Sequence, residues 1–352
     1  MTVSRPLVSV IVPALNEAQN VPGLLKRFGQ FSVDNPRYDF ELVLVDDGST
    51  DGTADLVVDL ASADDRVTVI QLSRSFGSHY AISAGMARCA GDCAIVLGAD
   101  LQEPPSLVQD FIAHWENDSE VVWGVRRSRV GRSGPQEFVS KAFSSIFTRY
   151  ANLTNYPPEG PSGVLIDRCV IDELAQLSER NRNVFALIAW LGYTQTRVEY
   201  DQIARVHGKS RWTRRKMIKM AADSFLQFSS MPLRLCSLIG AIVATAGLLY
   251  ALLLVIRSLS GVTTPSGWPT VLVVMLVLGG TQLTLMGIMG EYLWRAVEET
   301  RARPVYVVRD VRVAGADPSI PQYPRRGQRS GSPATTHPIP THTGISYQEI
   351  PR

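Results

Sequence analysis

This 352-residue chain predicts an α/β fold, with a mostly parallel sheet covered by helices on both faces over its first two hundred residues. Three observations predict it. Short apolar runs alternate with helix-like stretches, the connections between them are short, and acidic segments end two of the runs, where a parallel sheet holds its ligands. Leu7 to Val12, Phe40 to Val45, Val67 to Leu72, Ala94 to Leu97 and Val121 to Val125 read as buried strands. Asn20 to Phe31, Thr53 to Ala63, His79 to Cys89 and Pro105 to Glu116 read as the helices between them. Thr50 and Asp51 offer N-cap oxygens, and Pro105 suits a first helical turn.

The pattern changes after Asn183. Phe185 to Leu191 is an apolar helix too short to span a membrane, and Arg197 to Tyr200 a short strand. Trp212 to Phe228 reads as an amphipathic helix, with Met217, Met220, Ala221, Phe225 and Phe228 between basic residues. Leu235 to Ile256 and Trp268 to Met289 carry no charge over 22 residues each. At 1.5 Å per residue each covers roughly 33 Å, enough for a hydrocarbon core of about 30 Å. Basic flanks that include Arg295, Arg301, Arg303 and Arg309, against the single Arg257 in the loop, predict cytoplasmic termini and an external loop. From Ala314 the tail is rich in Pro, Ser, Thr, Gly and Arg and predicts disorder.

Charged residues make up 19% and hydrophobic residues 45%, and the formal charge of +2 hides an uneven distribution. Arg205, Lys209, Arg211, Arg214, Arg215, Lys216, Lys219 and Arg234 face only Asp223. So basic a run suits nucleic acid or an anionic membrane, and its place just before an apolar span selects the membrane. Cys89, Cys93, Cys169 and Cys236 have no metal-ligand spacing with histidines and read as small residues in a reducing compartment. Met1 to Pro6 gives no signal-peptide core, which keeps the N-terminal domain on the cytoplasmic side.

The residues suited to chemistry follow two strands. Asp46 and Asp47 open Asp46-Asp47-Gly48-Ser49-Thr50-Asp51, where a carboxylate can take a hydrogen bond from a base or ribose. Asp100 and Gln102, in Gly98-Ala99-Asp100-Leu101-Gln102, face the same way if the chain is extended there, and could share one cation. Hard divalent cations take oxygen ligands, and a bound cation neutralises a departing diphosphate. Either acidic cluster alone reads more readily as turn or capping chemistry; the two after buried strands point to a nucleotide and a metal.

With Val10-Ile11-Val12-Pro13-Ala14-Leu15-Asn16-Glu17, Val45 to Asp51 and Ala99 to Pro105, the chain resembles family-2 inverting glycosyltransferases of the GT-A fold. It is similar within them to the polyprenyl-phosphate enzymes, the dolichol-phosphate-mannose-synthase-like and GtrB-like group. Ser73 to Gly77, Gly124-Val125-Arg126, Arg205 to Trp212, Phe228 to Arg234, Gly290 to Leu293 and Arg303 to Tyr306 carry that narrower likeness, which covers residues 7–310. The resemblance implies a donor cradle of Pro13, Asn16, Glu17, Asp46, Asp47 and Gly77, and Mg2+ or Mn2+ on Asp100 and Gln102. It implies Arg126, Arg205 and Arg211 near donor or acceptor phosphates, with Ser210 in the same closing loop, guanidinium groups being suited to clamp phosphate. Asp100, Arg205 and Arg211 are the catalytic candidates. The chain departs from the family in two places: Gly98 stands where an acid usually opens the metal motif, and Ser162-Gly163 where an acid–aromatic pair is usual. The general base is therefore open, though a lipid phosphate already ionised needs positioning more than proton removal.

The expected organisation is a GT-A domain over 1–204, a phosphate loop and interfacial helices over 205–234 and spans at 235–256 and 268–289. A loop at 257–267, a juxtamembrane segment at 290–313 and the tail from 314 complete it. The expected activity moves a hexose-type sugar from a UDP-glucose-like or GDP-mannose-like donor to a polyprenyl phosphate at the plasma membrane. The partners are then the donor, the lipid acceptor, the membrane and further copies of the chain, without nucleic acid. Two rivals are a non-catalytic GT-A-fold protein, which Gly98 and Ser162 favour, and a processive synthase, which lacks support because no Gln precedes Ser210-Arg211-Trp212 at the right spacing.

Overall fold

The computed structural model describes residues 5–127, 156–157, 160–177, 179, 183–203, a set of helical positions between 238 and 260, 267–301 and 303–315. The five expected strands are β1 (Leu7–Ala14), β2 (Asp39–Asp46), β3 (Val67–Leu72), β4 (Cys93–Val96) and β5 (Val121–Arg126). The helices are α1 (Val21–Asp34), α2 (Thr53–Leu60), α3 (Ser78–Met86) and α4 (Ser106–Glu116), each within a few residues of its expected bounds. Further elements are β6 (Gly163–Asp167), α5 (Arg168–Gln176), α6 (Val184–Trp190), β7 (Gln195–Tyr200), α7 (Trp268–Thr300) and β8 (Val308–Val313).

These strands form one eight-stranded sheet in the order β7-β5-β6-β4-β1-β2-β3-β8. β1 pairs in parallel with β2 and β4, as β2 does with β3 and β5 with β7, while β6 and β8 pair antiparallel with their neighbours. The sheet is thus mostly parallel. The chain winds outward from β1 to β3 and returns to β4 on the other side of β1, so the crevice between the carboxyl ends of β1 and β4 is the topological switch point.

Alternation along the strands builds a core on each face. Val8, Val10 and Val12 of β1 pack with Leu24, Phe28, Val57, Leu107 and Phe111 of α1, α2 and α4. Ile11, Val43 and Val45 pack with Ala81, Ile82, Ile171 and Leu187 of α3, α5 and α6. At the centre of the second layer Trp123 is fully buried, and its indole N–H donates to Gln195 Oε1 at 2.8 Å, which satisfies the one polar atom that burial would strand. Cys89 and Cys93 are buried and Cys169 is exposed, all with free thiols, and Cys236 lies outside the described residues.

The sequence did not announce β6, α5 or β8. Asp167 ends β6 and caps α5, its Oδ1 accepting from the Cys169 N–H at 2.9 Å. β8 falls in what reads as a juxtamembrane segment, and it extends the catalytic sheet beyond the expected boundary at 204 by pairing with β3 from Thr68↔Val313 to Leu72↔Val308. The segment 205–234 and the tail from 316 lie outside the described residues. Among the described residues no helix is long and apolar enough to cross a membrane. The 33-residue α7 contains the stretch 268–289, and the described positions from Leu238 to Leu259 are helical. A Cβ on Gly240 would meet Leu285 Cδ1 at 3.9 Å, so the two hydrophobic helices touch there.

Candidate active site at the switch point

The site begins with β1. Pro13 lies beyond Ile11, the last β1 residue paired with β4, so its missing N–H interrupts no pairing on that side. Asn16 follows in a left-handed conformation (φ 51), which asparagine tolerates better than most residues. Its N–H donates to Ser49 Oγ at 2.8 Å, and its Oδ1 accepts from the Thr50 N–H at 2.7 Å. The Glu17 N–H donates to Thr53 Oγ1 at 3.0 Å, and Glu17 Oε2 accepts from Asn20 Nδ2 at 2.6 Å. Asp51 caps the turn, accepting from Ala18 and Thr53 N–H groups. Burial pulls the Asp51 pKa up, but its hydrogen bonds from Thr53 and Ala18 outweigh that and leave it lowered.

At the end of β2, Asp46 is 0% and Asp47 3% exposed. Asp46 accepts from the Ser49 N–H at 3.1 Å and Gln71 Nε2 at 3.3 Å. Asp47 is engaged more heavily: Ser75 Oγ at 2.8 Å, the Phe76 N–H at 2.7 Å and the Gly77 N–H at 2.9 Å all donate to it. Its carboxylate therefore ties the β2 end to the loop before α3. Gly48 must be glycine: its φ is 76°, and a Cβ would stand 2.6 Å from the Arg74 carbonyl carbon. Gly77, at φ 112, turns the chain into α3.

In the first turn of α3, His79 packs edge-on against Phe185, with ring centroids 5.5 Å apart. The ring is partly exposed by area, yet its Nδ1 is shut off from water without a partner, and burial lowers its pKa from 6.5 to about 4. A histidine held neutral in the fold but protonated when unfolded adds stability that is complete above pH 6.5 and lost as the pH falls toward about 4. The melting temperature is expected to drop over that window, and His79→Gln to flatten the drop, as measured by thermal melts across pH.

β4 delivers the second acidic segment. The chain is not extended at Leu101, which has φ 60, so the shared facing expected of Asp100 and Gln102 from simple alternation does not hold. The Gln102 side-chain amide leans toward the Ile203 carbonyl at 3.5 Å, and the Gln102 main-chain carbonyl accepts from the Ile203 N–H at 2.9 Å, which ties this loop to the residues just before the phosphate segment. Asp100 turns instead toward Gly98. Glu103, which the sequence reading left without a role, joins it there and is 6% exposed. Burial, then the charge of Asp100, push the Glu103 pKa up to about 7 against the pull of its own backbone N–H, Arg126 and Arg27. The signal available in the sequence was an acid five residues after a glycine that fills an acidic position.

Arg126 ends β5 in register with Tyr200, and its Nε is buried without a partner. Burial, followed by the Glu103 charge, pushes the Tyr200 phenol up to about 12; its OH donates to Ser162 Oγ at 2.6 Å. Gly163 has its Cβ position 3.0 Å from the Val96 carbonyl, so the larger residue usual there in the family would require this backbone to shift. The structure thus gathers Asp100, Glu103, Arg126, Tyr200 and Ser162 on one side of the crevice and Asn16, Glu17, Asp46 and Asp47 on the other. Arg205, Ser210 and Arg211 lie outside the described residues.

Among the described residues no group of three or more His, Cys, Asp or Glu could hold a metal. Two carboxylates at a loop tip nevertheless fit a Mg2+ or Mn2+ that completes its shell with diphosphate oxygens and water. The buried Glu103 is the observation that makes the fit, since an acid in that setting calls for a positive partner.

The glycosyl transferase family 2 model matches residues 9–220, a stretch that contains both halves of this crevice. An uncharacterized glycosyltransferase of Synechocystis sp. is 35% identical over 306 residues, 86% of this chain and 95% of that protein. The bactoprenol glucosyl transferase of Shigella phage SfV is 30% identical over 303 residues, 86% of this chain and 98% of its own length. Among solved structures, mannosyl-3-phosphoglycerate synthase from Rubrobacter xylanophilus matches 65% of this chain and 74% of its own, at 16% identity and a TM-score of 0.46. The strand order, the acidic loops at the switch point and the extent of the match agree, and the chain belongs to glycosyl transferase family 2, with an α/β GT-A fold.

Proposed function

We propose that this enzyme transfers one sugar, glucose in the first instance, from a nucleotide sugar to a polyprenyl phosphate, with inversion at the anomeric carbon. The observation that carries the reading is the crevice between β1 and β4, which sets a buried nucleotide-side pair, Asp46 and Asp47, across from Asp100, Glu103 and Arg126. Near full-length likeness to a bactoprenol glucosyl transferase supports the acceptor class.

Asn16, Glu17 and the Asp46–Asp51 turn shape the pocket for base and ribose, already braced by the hydrogen bonds within it. Asp100 faces the diphosphate side. A divalent cation bound there supplies charge neutralisation to the leaving diphosphate. Arg126, with Arg205 and Arg211 from the phosphate segment, orients the phosphates of donor and acceptor. The lipid phosphate oxygen attacks the anomeric carbon as the bond to the diphosphate breaks, so the residues must align two anions and need remove no proton.

The membrane belongs to the same proposal. Residues 235–256 and 268–289 are uncharged, and Leu238, Ile242, Leu249, Leu253, Val271, Met275, Leu283 and Met286 are exposed side chains that lipid would cover. With two spans, the catalytic domain and both termini are cytoplasmic, and copies of the chain associate through the same helices.

Full-length protein in detergent, given radiolabelled UDP-glucose or GDP-mannose with undecaprenyl phosphate and Mn2+, is expected to make a lipid-extractable labelled product. Absence of product from every common nucleotide sugar, together with no binding of any of them, would sink the reading. Gly98 favours a non-catalytic reading only if the cation site is incomplete.

A further inference from the structure

Gly98 leaves an acidic position of the family vacant, but the space beside it is occupied. A Cβ built on Gly98 would lie 2.9 Å from Asp100 Oδ1, 3.3 Å from Glu103 Oε1 and 3.5 Å from Glu103 Oε2. Carboxylate oxygens of two residues therefore converge on the root of the absent side chain. The left-handed Leu101 reverses the chain between them, which brings residue 103 back across the loop.

Glu103 is 6% exposed, and among the described residues its carboxylate makes no ion pair and accepts no hydrogen bond from another residue's side chain. Arg27 donates at 2.7 Å to the Glu103 backbone carbonyl, so that guanidinium fixes the main chain and acts on the carboxylate through its charge. Arg126 acts on the Glu103 charge from a distance, and its own Nε has no partner. The Glu103 backbone N–H and the charges of Arg126 and Arg27 favour the ionised form, and at this burial a cation would favour it further.

We propose that Glu103 supplies the cation ligand that Gly98 lacks, so that Asp100 and Glu103 together hold the divalent ion of the donor diphosphate. Both oxygens lie within 3.3 Å of one point, and small side-chain rotations bring them to the roughly 2.0–2.2 Å that Mg2+ or Mn2+ requires. The glycine is then a condition of the arrangement: a carboxylate at 98 would be driven into the two already there.

This assignment rests on the transferase reading, and the test separates the two. Full-length protein in detergent is titrated with Mn2+ in the presence of UDP, and free Mn2+ is followed by electron paramagnetic resonance. Glu103→Gln is expected to weaken Mn2+ binding by about tenfold or more, with an undiminished melting temperature in metal-free buffer. The swap Gly98→Asp with Glu103→Ala moves the acid back, and is expected to bind Mn2+ within a few-fold of the original protein, far better than Glu103→Ala alone. Wild-type affinity in Glu103→Gln, or a swap no better than Glu103→Ala, overturns the assignment and leaves the transferase reading intact. An original protein that binds UDP but takes up no Mn2+ overturns the cation site itself. Should Glu103→Gln fold poorly, the swap against Glu103→Ala decides the matter on affinity alone.

Discussion

Asp100→Asn is expected to lower the transfer rate by at least about a hundredfold, because it removes a carboxylate that would hold the cation, and that cation would neutralise the leaving diphosphate. The substitution keeps size and shape, so the melting temperature without metal is expected to stay within about 2 °C of the original, less than 1 kcal/mol in a domain of this size. UDP binding without metal is also expected to persist, since Asn16, Glu17 and the Asp46–Asp51 turn are braced independently of β4. The measurement is product formation from the lipid acceptor under saturating donor. A rate within tenfold of the original would show that Asp100 carries no chemistry.

Asp47→Ala is expected to act on the fold as strongly as on the donor. Its carboxylate accepts from Ser75, Phe76 and Gly77 at 2.7 to 2.9 Å while 3% exposed, so truncation strands two backbone N–H groups and a hydroxyl. Charge-assisted bonds of this kind and the unsatisfied donors left behind put the loss at about 3–5 kcal/mol, a fall in melting temperature of about 10 °C. Asp47→Asn retains one acceptor and is expected to lose less. Thermal melts of both variants decide it: equal melting of Asp47→Ala and the original would mean that the loop is held by something else.

Much of this was legible in the sequence because of burial on both sides. β1 to β5 are continuous apolar runs, as strands sandwiched between helices must be, and the acidic turns after β2 and β4 marked the switch point. β6 was harder: Val164-Leu165-Ile166 is brief and follows a long stretch without clear period. β8 reads Val308-Arg309-Asp310-Val311-Arg312-Val313, an edge strand whose charges resemble a membrane-flanking segment. Within the site, Asp47 was found, but its engagement with residues 75–77 depends on two segments distant in sequence meeting. Glu103 was missed because alternation assumes extended backbone, and Leu101 breaks that assumption with a single positive φ.

The pairing of β8 with β3 has a topological consequence. β7, which ends at Tyr200, and β8, which begins at Val308, belong to the same sheet, so if the chain between them enters a bilayer it must come back to the side it left. Any route through a bilayer between those points crosses it an even number of times. A lone span through α7 would put β8 on the far side from the strand it pairs with and is ruled out; if α7 crosses, the helix before it crosses too. The last strand thus works as a stitch: it closes the hydrophobic hairpin into a loop anchored at both ends, and movement of the hairpin relative to the crevice must pull on β3.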